Sequence, residues 1–319
     1  MFQTVKKACS LVAGISIALC LFTGCGNNTS KEKNNDIVVT TFPLYDWTKN
    51  IVGDVDTFSI KLLQDNGYDL HNYQPSAADI ITVGNCRLFV HIGGISDEWV
   101  DGVLAQANRK PQIVNCLSLL NLCPSSHSHD HNHAPCGNHH HNDNDNDEHV
   151  WLSLRLAQKI CNTIATELCK LDPANAEKYK ENKNKYCKAM QSLDEDFVRF
   201  LKSSTQKTIL IADQFPFIHF TEDYSLKHYA AFSGCSTESD ASFKTITTLS
   251  GVLKELKLKA IFAIEGSDKK IANQIIQTSN CKETKILTLD SMQNTSSKKD
   301  NYISIMSNNI EKIKFSLQF

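Results

Sequence analysis

The sequence predicts an α/β protein of two similar lobes, each a mainly parallel sheet covered by helices, joined by one long rigid helix with a cleft between the lobes. Three observations predict it. Four short β-branched or apolar runs alternate with helical patterns before residue 172, a helical stretch of unusual length follows, and four more such runs alternate with helices after it. Alternation of this kind gives parallel strands joined by crossover helices. With 319 residues, 41% hydrophobic and 21% charged, the chain is large enough for two lobes with their own cores.

The elements follow in order. Ile37 to Thr41 is β-branched and bounded by Phe42-Pro43, so it reads as a buried strand. Tyr45 to Ile51 reads as a helix closed by Gly53, and Thr57 to Leu63 as a second strand. A loop of turn formers then carries His71, and Ser76 caps a helix from Ala77 to Val83. This order places His71 after the end of a strand, where open α/β sheets bind ligands. Arg87 to Ile92 is the third strand, stopped by Gly93-Gly94; Asp97 to Ala107 is a helix with Trp99 and Val103 inward; Gln112 to Cys116 is the fourth strand. His91, inside the third strand, is expected to be a core histidine.

Leu152 to Leu171 forms a helix ending at Asp172-Pro173, and a second begins there, with Asp172 as N-cap, and runs to about Ser203. Ala176, Tyr179, Tyr186, Met190, Leu193, Phe197 and Leu201 fall on one stripe. At 1.5 Å per residue this helix is about 45 Å long, enough to bridge two lobes. Beyond it, Thr208 to Ala212, His228 to Phe232, Ala260 to Glu265 and Lys285 to Leu289 read as strands. Phe217 to Tyr224, Phe243 to Leu256, Ser267 to Thr278 and Tyr302 to Leu317 read as helices. The third and fourth of these strands aim Glu265 and Asp290 into the cleft. The expected divisions are a leader over 1–24, a tether over 25–36, an N-terminal lobe over 37–171, a linking helix over 172–203 and a C-terminal lobe over 204–319.

The leader has its own logic. Lys6 and Lys7 precede an apolar run from Leu11 to Phe22, shorter than the ~20 residues of a membrane-spanning helix. Leu21-Phe22-Thr23-Gly24-Cys25 resembles a bacterial lipobox, which makes Cys25 the lipid-bearing first residue after cleavage. The polar stretch from Gly26 to Asn35 then serves as a tether. The mature protein is expected on the extracellular face of the cytoplasmic membrane, held by acyl chains. Of 12 cysteines, those past Cys25 are odd in number and form no CxxC motif; most read as small buried apolar residues. A formal net charge of -2 gives no reason to expect nucleic acid as a partner.

Between the fourth strand and the helix from Leu152 lies a stretch too polar to fold by itself, a loop spanning residues 125–148. It holds His127, His129, His131, His133, His139, His140 and His141 among Asp and Asn residues, with Cys136 as an additional soft donor. Imidazole suits zinc, copper and nickel, so the segment reads as an auxiliary loop for metal capture; a solvated linker is the plainer alternative. His149 differs from these. It stands where polarity gives way to Val150-Trp151-Leu152, so the fold can hold it still.

Four motifs carry a resemblance. Thr41-Phe42-Pro43-Leu44-Tyr45-Asp46, the loop from Asp69 to Ser76, His149-Val150-Trp151-Leu152-Ser153-Leu154 and Leu287-Thr288-Leu289-Asp290-Ser291 resemble those of the zinc and manganese solute-binding lipoproteins of ABC transporters. The resemblance runs from about Ile37 to Phe319 and implies two (β/α) lobes with a metal in the cleft and delivery to a membrane permease; the protein is expected to be a monomer. It places His71 and His149 on two ligand positions, with Leu70 where the family has proline, and Asp290 on the carboxylate position. The remaining position, His for zinc or Glu for manganese, falls on Gln214, counted back from Asp223-Tyr224-Ser225-Leu226.

Zinc takes N, O or S donors in a tetrahedron, which His71, His149 and Asp290 would supply in part. The open position falls to water, Glu265 or the amide oxygen of Gln214. A neutral amide is a poor zinc ligand, so Gln214 is better suited to orienting a water or a histidine. For Glu265 the plainer alternative is a cap for the helix from Ser267. Zinc is the expected ion, with manganese the other the set accommodates.

Two other functions are compatible with these features. An extracellular zinc-buffering or adhesion lipoprotein would share them all. A zinc-dependent hydrolase also needs two His, a carboxylate and an open position; against an enzyme, no HExxH motif, nucleophile elbow or phosphate loop is present.

Overall fold

Short β-branched runs become the strands of two four-stranded parallel sheets. The computed structural model describes residues 36–65, 67, 70–107, 109–122, 147–232, 234, 240–294 and 301–318. Cys25 and His127, His129, His131, His133, His139, His140 and His141 lie outside these residues. In the N-terminal half β1 (Ile37–Val39), β2 (Ile60–Leu62), β3 (Leu88–His91) and β4 (Gln112–Asn115) take the order β2-β1-β3-β4. In the C-terminal half β5 (Thr208–Ile211), β6 (Lys227–Ala230), β7 (Ala260–Ile264) and β8 (Lys285–Leu289) take the order β6-β5-β7-β8. The two sheets therefore share one topology, with every pair parallel. In each, the order reverses beside the first strand, which leaves a crevice at the carboxyl ends of the strands.

Both faces of the central strands of each sheet are buried. Ile37, Val39, Leu88 and Val90 face the main core, while Val38 and Phe89 join a separate cluster with Val100 and Val103 on the opposite face. Ile209 and Ile211 likewise point to the main core and Leu210 to a cluster with Leu253 and Ile275. The period of two along a strand produces this split. His91 is buried, stacked on Phe89 at 5.1 Å, with Nδ1 3.4 Å from Asp97.

The helices are α1 (Phe42–Val52), α2 (Ala77–Asn85), α3 (Trp99–Ala105), α4 (Cys116–Leu120), α5 (Leu154–Leu171), α6 (Ala176–Ser203), α7 (Ile218–Asp223), α8 (Phe243–Leu256), α9 (Lys270–Ser279) and α10 (Tyr302–Leu317). Local chemistry sets their ends. Gly53 closes α1 at φ +64, donating its N–H to the Lys49 carbonyl. Ser76 and Asp79 form a reciprocal capping box on α2.

Three departures from expectation bear on the site or the linking helix. The short α4 was not anticipated; it starts because the Asn115 side chain accepts the Ser118 N–H. α6 begins at Ala176 after a 3-10 turn over Pro173–Asn175, and Asp172 gives it no cap. Its carboxylate instead takes the Tyr179 hydroxyl and the Asn175 amide, each at 2.8 Å. α9 begins at Lys270, not Ser267, with Lys269 at the N-cap position. Glu265 is therefore no helix cap.

α6 has 28 residues, about 42 Å at 1.5 Å per residue. It buries Tyr179, Tyr186, Met190, Phe197 and Leu201 and packs on α1, α5 and α10, so one core runs through both halves. Asp46 on α1 ties this junction. Its Oδ2 accepts the Tyr186 hydroxyl at 2.6 Å and the Tyr302 N–H at 3.4 Å, joining α1, α6 and α10.

Burial raises the Asp46 carboxyl above its ordinary 3.8, although the Tyr186 hydroxyl opposes this. The folded state thus keeps a proton that the unfolded chain has shed, so stability falls as pH rises from 3.8 through the raised value. Below that interval the shift has no effect. In urea unfolding at a series of pH values, the wild type should lose stability relative to Asp46→Asn across the interval and hold a constant difference above it. Asp46→Ala, which strands the buried Tyr186 hydroxyl, should lower stability by about 1–3 kcal/mol.

Candidate metal centre

His71 follows β2 in a 3-10 turn over Leu70–Asn72, fixed by the buried Leu70. Its Nδ1 lies 2.9 Å from Ser96 Oγ and 3.0 Å from Glu148 Oε1. Ser96 belongs to the turn after β3, which Gly93 and Gly94 enter at φ +89 and +81. A side chain at Gly94 would be strained at φ +81 and would displace Glu148, since its Cβ would stand 2.8 Å from Glu148 Oε2. Glu148 accepts the Ser96 N–H at 3.1 Å and its hydroxyl at 2.5 Å. Burial alone would raise the Glu148 carboxyl, but the hydrogen bonds from His71 and Ser96 more than offset it and hold the group low.

His149 is 1% exposed. Its Nδ1 lies 3.0 Å from Asp147 Oδ1, which also accepts its backbone N–H at 2.9 Å. Asp147 too is held below the usual carboxylate range: burial raises it, and His149 and His219 together outweigh that. His219 on α7 donates Nε2–H to the Asp147 carbonyl at 2.9 Å. Behind His149, Trp151 donates its indole N–H to the Ser291 carbonyl at 2.8 Å, and the Tyr302 hydroxyl donates to the Trp151 carbonyl at 2.6 Å. The segment after the His-rich loop is thus fastened to the C-terminal half.

A carboxylate only accepts, so each imidazole carries its proton on Nδ1 and leaves a lone pair on Nε2. The two rings stand 5.6 Å apart between centroids. Both Nε2 lone pairs meet one group: the carboxamide nitrogen of Gln293, 3.1 Å from His71 and 2.6 Å from His149. Residues from both halves of the chain converge here.

Gln293 reaches this point from the loop after β8. Its Oε1 lies 2.8 Å from Ser291 Oγ, which lies 2.5 Å from Glu265 Oε1; the Ser291 N–H also donates to Glu265 Oε2 at 2.7 Å. Burial pushes the Glu265 carboxyl up to about 7, against the hydrogen bonds from Ser291 and with help from the charge of Asp290. When protonated, Glu265 donates to Ser291 Oγ, which leaves the hydroxyl proton for Gln293 Oε1.

The other expected residues stand as follows. Asp290 turns Oδ1 toward the Met292 N–H at 2.8 Å, holding a turn in which Met292 has φ +61. Gln214 directly follows β5, and its backbone N–H donates to Asp213 Oδ1 at 3.0 Å. The amide between the rings is that of Gln293. Among the described residues, no three His, Cys, Asp or Glu side chains stand together in position to hold a metal ion. Asp147 and Glu148, expected to belong to the polar loop, are instead packed behind the imidazoles. The Asp-Glu-His run was the available signal for them; no spacing rule singles out Gln293 or Ser96.

Fold and site define a two-lobed binding protein with a histidine pair where its halves meet. Residues 37–315 match the family model ZnuA, zinc-uptake complex component A, periplasmic. The high-affinity zinc uptake system protein ZnuA of Bacillus subtilis is 31% identical over 314 residues, covering 94% of this chain and 96% of that protein. The zinc-binding lipoprotein AdcA of Streptococcus pneumoniae is 28% identical over 97% of this chain, which spans 61% of the length of AdcA. Among solved structures, the metal-dependent lipoprotein YcdH of Bacillus subtilis superposes with a TM-score of 0.72 at 26% identity, covering 88% of this chain and 99% of that one. The Zn(II)-bound ZnuA-like domain of AdcA gives 0.68 at 25% identity, covering 88% and 98%. The chain belongs to the ZnuA family.

Long-range ¹H–¹⁵N spectra of the metal-free protein should show the Nδ1–H tautomer for both His71 and His149. Asp147→Asn should disturb His149 alone, and Glu148→Gln His71 alone. An Nε2–H signal from either ring in the wild type would contradict the pairing.

Proposed function

We propose that this chain captures zinc outside the cytoplasmic membrane and passes it to an ABC permease for uptake. The observation that carries this reading is the convergence of two imidazole Nε2 lone pairs, one from each of two distant segments, on a single point. Each ring is held by a carboxylate on its far side, the arrangement that fixes metal-ligating histidines and raises their basicity. The family and the relatives named for zinc support the choice of ion. So does the chemistry, since borderline imidazole nitrogen favours zinc over manganese.

His71 and His149 are the nitrogen ligands. A further donor comes from the C-terminal half, where Glu265 and Asp290 follow β7 and β8. Gln214 acts indirectly, as an orienting amide. The seven histidines of the 125–148 loop gather additional ions more weakly. Cys25, as the lipidated first residue, keeps the protein beside its permease.

Competition titration of the purified protein with zinc and manganese tests this. One zinc ion should bind tightly, with manganese weaker by at least about tenfold, in line with the general order of metal affinities. His71→Ala and His149→Ala should each remove the tight site, whereas deletion of residues 125–146 should leave it in place. Glu265→Gln and Asp290→Asn identify the carboxylate donor, as the one whose loss weakens zinc more. Full zinc affinity in the double histidine variant would refute the assignment, and unchanged zinc accumulation in a strain lacking the protein would refute the transport role.

A further inference from the structure

The Gln293 carboxamide occupies the place that an ion bound to both histidines must enter. Zinc–nitrogen bonds are about 2.0–2.1 Å long, whereas the amide nitrogen stands 2.6 and 3.1 Å from the two Nε2 atoms with its hydrogens directed at them. A cation bonded to both rings would lie against those hydrogens. Amide N–H and metal therefore exclude one another. Gln293 is 6% exposed and has little room to swing out of the site.

The neighbours supply a cheaper route than withdrawal. The last side-chain torsion of glutamine is broad and roughly two-fold, so the carboxamide can turn half-way round without changing the space it fills. In the present orientation its N–H groups face the two rings and its Oε1 faces the Ser291 hydroxyl at 2.8 Å. After a half-turn Oε1 would face the rings and the N–H groups would face Ser291 Oγ. Ser291 is equipped for both states, because its hydroxyl oxygen accepts and its proton has a second acceptor, Glu265 Oε1, at 2.5 Å. The Ser291 hydroxyl thus has a partner in either orientation.

Resting on the reading of His71 and His149 as the nitrogen ligands, we infer that Gln293 is a two-position amide switch. In the unloaded protein it closes the site by donating to both imidazoles, and in the loaded protein it presents its oxygen to the ion as a neutral donor. Two consequences follow. Capture is slowed by the fraction of time the amide spends facing the rings, which reduces apparent affinity by the same fraction. Release is eased, because a neutral oxygen holds zinc less strongly than a carboxylate. Gln293 thereby sets the affinity of the site, and the loop after β8 carries that control.

The test uses the mature chain with zinc alone and a chromophoric chelator as competitor, in stopped-flow and equilibrium modes. Gln293→Met keeps the volume and removes both donor and oxygen, so its zinc association rate should rise by about tenfold or more and its dissociation rate should also rise. Gln293→Glu cannot donate when ionised and adds a charged oxygen, so it should bind zinc at least about tenfold more tightly. In the wild type, the Gln293 side-chain NH₂ resonances should show protection from solvent exchange and coupling to imidazole nitrogens in the metal-free state. One equivalent of zinc should abolish that coupling. A wild-type association rate in Gln293→Met, an affinity in Gln293→Glu no better than wild type, or amide signals unmoved by zinc would each overturn the switch. Retention of tight zinc binding by His149→Ala would overturn the metal assignment instead, so the two failures are distinguishable.

Discussion

The arrangement depends on two protons being kept out of the way. Imidazole offers a lone pair on one nitrogen only when its proton is committed to the other. Glu148 and Asp147 accept those protons, and each carboxylate takes further hydrogen bonds that keep it ionised, from Ser96 to the first and from the His149 backbone to the second, with the His219 ring 3.7 Å from the Asp147 carboxylate. Buried carboxylates without such donors would be protonated and would lose their hold on the ring tautomers. The hydrogen bonds behind the histidines thus matter as much as the histidines themselves.

The same logic explains why the halves are joined as they are. A pair of lone pairs aimed at one point requires the segments bearing them to be fixed within fractions of an ångström. Parallel sheets whose central strands are buried on both faces provide rigid strand ends, and loops leaving those ends carry His71, Ser96, Glu265 and Gln293. α6 gives the halves a shared core in place of a loose linker, with Asp46, Tyr186 and Tyr302 bonded across the seam. Trp151 and Tyr302 then pin the chain after His149 to the second half.

Much of this was legible in the residues. α8, α10 and β8 begin and end where their hydrophobic periodicity changes, and the stripe from Tyr179 to Leu201 is the buried face of α6. Strand-loop order brought attention to His71, and the polar-to-apolar step brought it to His149. The side chain between them was hidden, because a glutamine in a loop has no periodicity and its partners lie 222 and 144 residues away. Glu265 was misread as a possible helix cap for a related reason. Ser267 and Asp268 look like helix starters, but they bond the N–H groups of Lys269 and Lys270 in a turn, so the helix starts later. α4 was missed because a five-residue helix leaves too short a pattern.

The two imidazoles are unequal neighbours of solvent. The His71 side chain is 25% exposed and that of His149 1%. If the two rings hold zinc as proposed, an arriving ion meets the more exposed His71 before the buried His149. Departure would retrace that order, which makes the outer ring the doorstep of such a site and the inner ring its floor.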